Sequence, residues 1–168
     1  MPDLALQDRL QPVLLDRLLD DQPGKLEESR ERRVMNMSQI RQAILRDLDY
    51  LLNTAARPEG DMIYDFPLAA RSVLNFGTVP FSGRTTSDQA RERLRAGVER
   101  AISQFEPRLQ QGTVKVKRVE KADEQSGLVA VGFELSGEVH PLPMPDNLFV
   151  RTEIDLELNQ WKLEGGAS

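Results

Sequence analysis

The sequence contains no cysteine. Disulfides, thiol nucleophiles and thiolate metal sites are all excluded, and the composition fits a reducing compartment. It has one histidine, His140. A multi-histidine metal site is therefore ruled out, and a Ser-His-Asp triad would have to be built on that single residue. His140 sits just before Pro141 and reads as a strand-end or loop residue rather than a base. Aromatics are scarce, with one Trp and two Tyr. No apolar run approaches the ~20 residues of a membrane span. The opening Met1-Pro2-Asp3-Leu4 lacks the basic start and apolar stretch of a secretory signal. Positive charge is also short: 22 Lys and Arg face 27 Asp and Glu, a net charge of -5, which argues against nucleic acid as a partner. The chain is expected to be cytoplasmic and to work without cofactor or metal.

What is present describes a polar-surfaced globular protein. Charged residues make up 29% and hydrophobics 39% of 168 residues, enough for one domain with a real core. Residues 8–20 carry Pro12 at a helix start and Leu14, Leu15, Leu18 and Leu19 on one stripe. A helix this short must dock on something, its own core or a partner. Residues 20–37 are a charge-mixed linker. Ser38 then offers an N-cap for a helix over 38–53, with Ile40, Ala43, Ile44, Leu48, Leu51 and Leu52 in helical spacing. Residues 61–83 read as loop, with one helical turn over 68–75. Its apolar residues Leu68, Ala69, Val73, Leu74 and Phe76 are expected to plug the core, while Ser72 and Asn75 cap the local backbone. A second long helix follows, with Ala90, Leu94, Val98, Ala101, Ile102 and Phe105 on its apolar stripe and an arginine-rich opposite face.

After residue 109 the period changes from 3.6 to 2. Residues 113–119, 128–140 and 149–158 read as three antiparallel strands, with Ser136-Gly137 as a bulge or kink in the second. The fold class is α+β: helices on one face of a small, mainly antiparallel three-stranded sheet, with a leading N-terminal helix. The expected organisation is a docking helix and polar linker over 1–37, the α+β domain over 38–160, and a loose tail over 161–168. Trp161 is expected to lie over the sheet or anchor an interface.

Between the helical and the strand half stands Phe105-Glu106-Pro107-Arg108-Leu109. Proline cannot continue the helix, and it drives the residue before it towards extended geometry. Glu106 then falls at a helix C-terminus, where the macrodipole disfavours an anion. In an extended chain residues 106 and 108 point to one side, about 6.6 Å apart. Two arrangements stay open. The pair closes on itself, or both side chains reach another chain.

Several stretches together resemble one family: Leu10-Gln11-Pro12-Val13-Leu14-Leu15-Asp16-Arg17-Leu18, Arg46-Asp47-Leu48 with Leu51-Leu52-Asn53, Arg71-Ser72-Val73-Leu74-Asn75-Phe76-Gly77, Phe105-Glu106-Pro107-Arg108, and Leu148-Phe149-Val150-Arg151-Thr152-Glu153-Ile154-Asp155. In order and spacing they look like the TssE family, the baseplate wedge subunits of type VI secretion systems, which are similar to phage wedge proteins once labelled lysozyme-like. The resemblance implies structural work and no enzyme activity. It implies that Glu106, Pro107 and Arg108 contact the partner subunits TssF and TssG. It also implies that the strand layer, similar to the handshake region of sheath subunits, starts polymerisation of the sheath proteins TssB and TssC. TssK is a further candidate partner. The leucines 14, 15, 18 and 19 are the second candidate partner-binding set.

Two other classes compete. A glycosidase would need a second carboxylate beside Glu106, such as Glu134, Glu153 or Asp155, and an acid that holds its proton at neutral pH. Arg108 pushes Glu106 the other way. A small regulatory binding protein of similar fold is the remaining alternative.

Overall fold

The computed structural model describes residues 14–18, 35–80, 87–119, 130–140, 146–156 and 158–165. Helix α1, Leu14–Leu18, is the described part of the leading helix. The rest of that expected helix, Leu19 included, lies outside the described residues. Helix α2 spans Met37–Leu52. Its N-cap is Asn36, not Ser38. Asn36 Oδ1 accepts from the Gln39 backbone N–H and Gln39 Oε1 accepts from the Asn36 N–H, each at 2.9 Å. This reciprocal box satisfies two end groups together, which Ser38 alone would not. The helix buries Ile40, Ala43, Ile44, Leu48, Leu51 and Leu52, the stripe expected from spacing.

The connection from α2 departs most from expectation. It contains a 3-10 turn Met62–Asp65, helix α3 at Pro67–Ala70, and a 3-10 turn Val73–Asn75. Its apolar side chains do not plug the core: Leu68 is 88%, Val73 77% and Leu74 70% exposed. Phe76 alone of the large ones packs on the core, edge-on to Phe105 with ring centroids 5.2 Å apart. Polar groups fix the segment instead. The buried Asn75 accepts from the Arg57 N–H at 2.9 Å and donates to the Ala70 carbonyl at 3.0 Å. Ser72 caps the local backbone as expected, accepting from Leu74 N–H at 3.2 Å. The segment returns beside the end of α2 through Gly77. Its φ is +125°, and a Cβ there would lie 2.4 Å from the Thr54 carbonyl oxygen. Only glycine fits this approach.

Helix α4, Asp88–Phe105, is capped by Ser87 and buries Leu94, Val98, Ala101 and Ile102. On the arginine-rich face Arg95 is paired within the helix, 2.8 Å from Glu92 and 2.6 Å from Glu99.

The antiparallel sheet has four strands, not three, in the order β1-β2-β3-β4: Lys115–Val119, Ala130–Val139, Asp146–Asp155 and Gln160–Gly165. The fourth comes from residues expected to be a loose tail. The alternation over 149–158 runs across a turn. Asp155 Oδ1 accepts from the Leu158 N–H at 3.0 Å, and Asn159 takes a left-handed φ of 52°. Asparagine tolerates that conformation without a glycine to announce it. Trp161 is buried, with its ring centroid 5.6 Å from that of Phe133. Nor is there a bulge at Ser136-Gly137, since the register with β3 is unbroken. Gly137 leaves room for Leu109, whose methyl carbons would sit 3.5 and 3.6 Å from a Cβ there. One face of the sheet and the stripes of α2 and α4 share a single core.

Candidate functional site

Pro107 ends α4, and the Glu106 N–H makes the last helical bond, to the Ile102 carbonyl at 2.9 Å. The chain then makes a turn over Pro107-Arg108, closed by the Leu109 N–H on the Glu106 carbonyl at 3.2 Å, and meets the end of β2. His140 N–H donates to the Arg108 carbonyl at 2.7 Å, and Gln110 N–H to the Glu138 carbonyl at 2.8 Å. The joint is held at both ends, and the turn, not the two-residue period expected of an extended chain, brings Glu106 and Arg108 together. They close on each other. Glu106 Oε1 accepts from the Arg108 backbone N–H at 3.0 Å and from its Nε at 2.7 Å, while Oε2 accepts from Nη2. The guanidinium thus offsets the unfavourable end of the helix dipole. Glu106 is 3% exposed.

The pair is the end of a longer row. Arg108 Nη2 also donates to Asp47 Oδ2 at 2.6 Å. Asp47 Oδ1 accepts from Arg46 Nε at 2.9 Å. Arg46 Nη1 lies 2.6 Å from Asp16 Oδ1 on α1. Charges alternate in sign along the row Glu106, Arg108, Asp47, Arg46, Asp16. Burial alone pulls the Arg108 pKa down, but hydrogen bonds and charge from Glu106 and Asp47 outweigh it and leave Arg108 above the ordinary guanidinium value. Arg46 is raised in the same way, burial opposing and Asp16 and Asp47 prevailing. Asp16 Oδ2 is buried and has no hydrogen-bond partner among the described residues.

The row joins three of the stretches singled out in the sequence: the leading leucine segment, the Arg46-Asp47 helix and the Glu-Pro-Arg motif. Pro107 is exposed at the joint. Leu14, Leu15 and Leu18 are exposed on α1, at 70%, 47% and 73%. Sequence reasoning left the Glu106–Arg108 pairing open beside contact with another chain, and missed Asp16, Arg46 and Asp47 as its extension. Arg46 and Asp47 had the look of a solvated helix face. Asp47 and Arg108 are 61 residues apart, a separation that no local period reports.

The geometry is poor for glycoside cleavage. Both oxygens of Glu106 are taken by Arg108, and a buried, paired carboxylate cannot protonate a leaving oxygen. Among the described residues, no group of three or more His, Cys, Asp or Glu could hold a metal ion, and no helix is long and apolar enough to cross a membrane.

Comparison with curated proteins and with solved structures returned no match. A family match, to baseplate wedge protein gp25, covers residues 38–140, from the second residue of α2 through the joint and β2. That family is structural, and the match gives no support to the glycosidase and regulatory readings. It agrees with the resemblance to type VI secretion wedge subunits drawn from the motifs. With well over half of its 168 residues inside the match, the chain belongs to the baseplate wedge protein gp25 family, as a structural component of the contractile type VI secretion baseplate.

Proposed function

We propose that this chain fastens the baseplate wedge, meeting TssF and TssG through the Glu106-Pro107-Arg108 joint and the leucines of α1. Its strand layer would then offer the first docking place to the sheath subunits TssB and TssC, with TssK as a further neighbour. The work would be done in the cytoplasm. The observation that carries this reading is the ionic row. It ties an exposed apolar helix to the same rigid joint that exposes Pro107. Exposed leucines on a short helix are costly unless a partner covers them. A helix of this length also gains its stability from what it docks against.

The internal pairing changes the role assigned to the motif. Glu106 acts by fixing Arg108 and the direction of the joint, not by reaching across an interface. Leu14→Ser/Leu15→Ser/Leu18→Ser should abolish co-purification with co-expressed TssF and TssG and leave the urea midpoint of the isolated chain unchanged. Normal co-purification of that variant would remove α1 from the interface. Arg108→Glu should lose both assembly and stability, since it sets a third carboxylate between Glu106 and Asp47 in a largely buried position.

A further inference from the structure

A sheet in the order β1-β2-β3-β4 has two edges, and each offers backbone groups to a further strand. The β1 edge is filled from α4 at Val116. The outward N–H of Val116 donates to Glu99 Oε2 at 3.4 Å, and the Val116 carbonyl accepts from Arg95 Nη1 at 3.2 Å. Arg95 and Glu99 are themselves paired at 2.6 Å. An ion pair from α4 thus stands where an added strand would place its peptide groups.

Among the described residues the β4 edge is closed at one position. Trp161 N–H donates to Asn53 Oδ1 at 2.9 Å, and the Trp161 carbonyl accepts from Asn53 Nδ2 at 3.2 Å. The amide of Asn53 imitates one residue of a neighbouring strand. It is held in that orientation by α2, because Nδ2 also donates to the Asp49 carbonyl at 3.1 Å and to Asp49 Oδ1 at 3.0 Å. The Trp161 N–H therefore points away from β3. By the period of a strand, the N–H and C=O of Leu163 and Gly165 point the same way. Among the described residues nothing hydrogen-bonds these outward groups.

We infer that Asn53 is an end-stop on β4: a partner segment adds alongside this strand with its pairing beginning at Leu163 and including Gly165, and Asn53 keeps it off Trp161. The stop sets the register of the added strand, and a one-residue slip would turn every side chain of that strand to the wrong face. The chemistry of the segment follows from β4. Leu163 packs on the core, whereas Lys162 and Glu164 alternate with it on the exposed face. The segment should be extended and alternating, apolar opposite Leu163, acidic opposite Lys162 and basic opposite Glu164. The identity of its source, a TssB/TssC sheath subunit, rests on the function proposed above.

The test uses the full chain with co-expressed TssB/TssC, reading amide exchange residue by residue with and without the sheath proteins. In the complex, Leu163 and Gly165 amides should slow at least about tenfold, while Trp161, already bonded to Asn53, should not change. Asn53→Ala removes both partners of the outward Trp161 groups, so Trp161 should exchange fast in the free chain and become protected in the complex as the added strand reaches it. Gly165→Pro deletes an outward N–H without touching the ladder to β3. It should bind the sheath proteins about tenfold more weakly with an unchanged thermal midpoint. Sheath binding by the wild type without protection at Leu163 and Gly165, or full-strength binding by Gly165→Pro, overturns the end-stop alone. No sheath binding by the wild type overturns the sheath reading and the end-stop with it.

Discussion

The Glu106–Arg108 joint and the 62–74 connection invert the usual expectation for charged and apolar residues. The joint is charged and looks like an interface, yet Glu106 is buried, Arg108 is half-buried, and both are partnered within the chain. The connection is apolar and looks like core, yet Met62, Phe66, Leu68, Val73 and Leu74 are exposed. Polarity of the side chain therefore did not decide burial in either place. The backbone did. In the joint, a proline and the pairing of Arg108 and Gln110 with the end of β2 turn the charges inward. In the connection, Asn75, Asp61 and Ser72 tie the backbone to itself and leave the apolar side chains outside.

Breaking the joint should give the largest effect. Glu106→Ala leaves Arg108 mostly buried with only Asp47 to balance it, and should lower stability by about 3 kcal/mol in urea unfolding. Undoing the connection should cost less. Asn75→Ala strands the Arg57 N–H and the Ala70 carbonyl, and should cost about 2 kcal/mol, with faster proteolysis confined to residues 57–76. The exposed apolar residues sharpen the contrast from the other side. Leu68→Ser/Val73→Ser/Leu74→Ser should move the unfolding free energy by no more than about 0.5 kcal/mol. A loss of several kcal/mol in that variant would mean that these side chains do pack on the core.

The two regions also mark what could be read from the sequence. The stripes of α2 and α4 were legible because helical period reports burial directly, and Leu48 or Val98 needed nothing else. The two-residue alternation of β1 was equally plain. The closeness of Glu106 and Arg108 followed from their spacing about Pro107, although a turn rather than an extended chain brings them together. Its extension to Asp47 and Asp16 did not, because a salt bridge across the fold leaves no periodic trace. β4 was hidden by a turn without glycine, where Asp155 and Asn159 do the work of the usual signal. Asn53 was read as a helix end, which it is. Its second role needed the position of Trp161.

The central claim is that the Glu-Pro-Arg motif is an internal ionic joint before it is an interface. A double-mutant cycle with Glu106→Gln, Arg108→Met and both together, followed by urea unfolding of the isolated chain, tests it most directly. The account predicts a coupling energy of about 1–3 kcal/mol, with the double variant more stable than the sum of the single losses implies. Additivity within about 0.5 kcal/mol would contradict it, and would mean that the two side chains do not depend on each other in the folded chain.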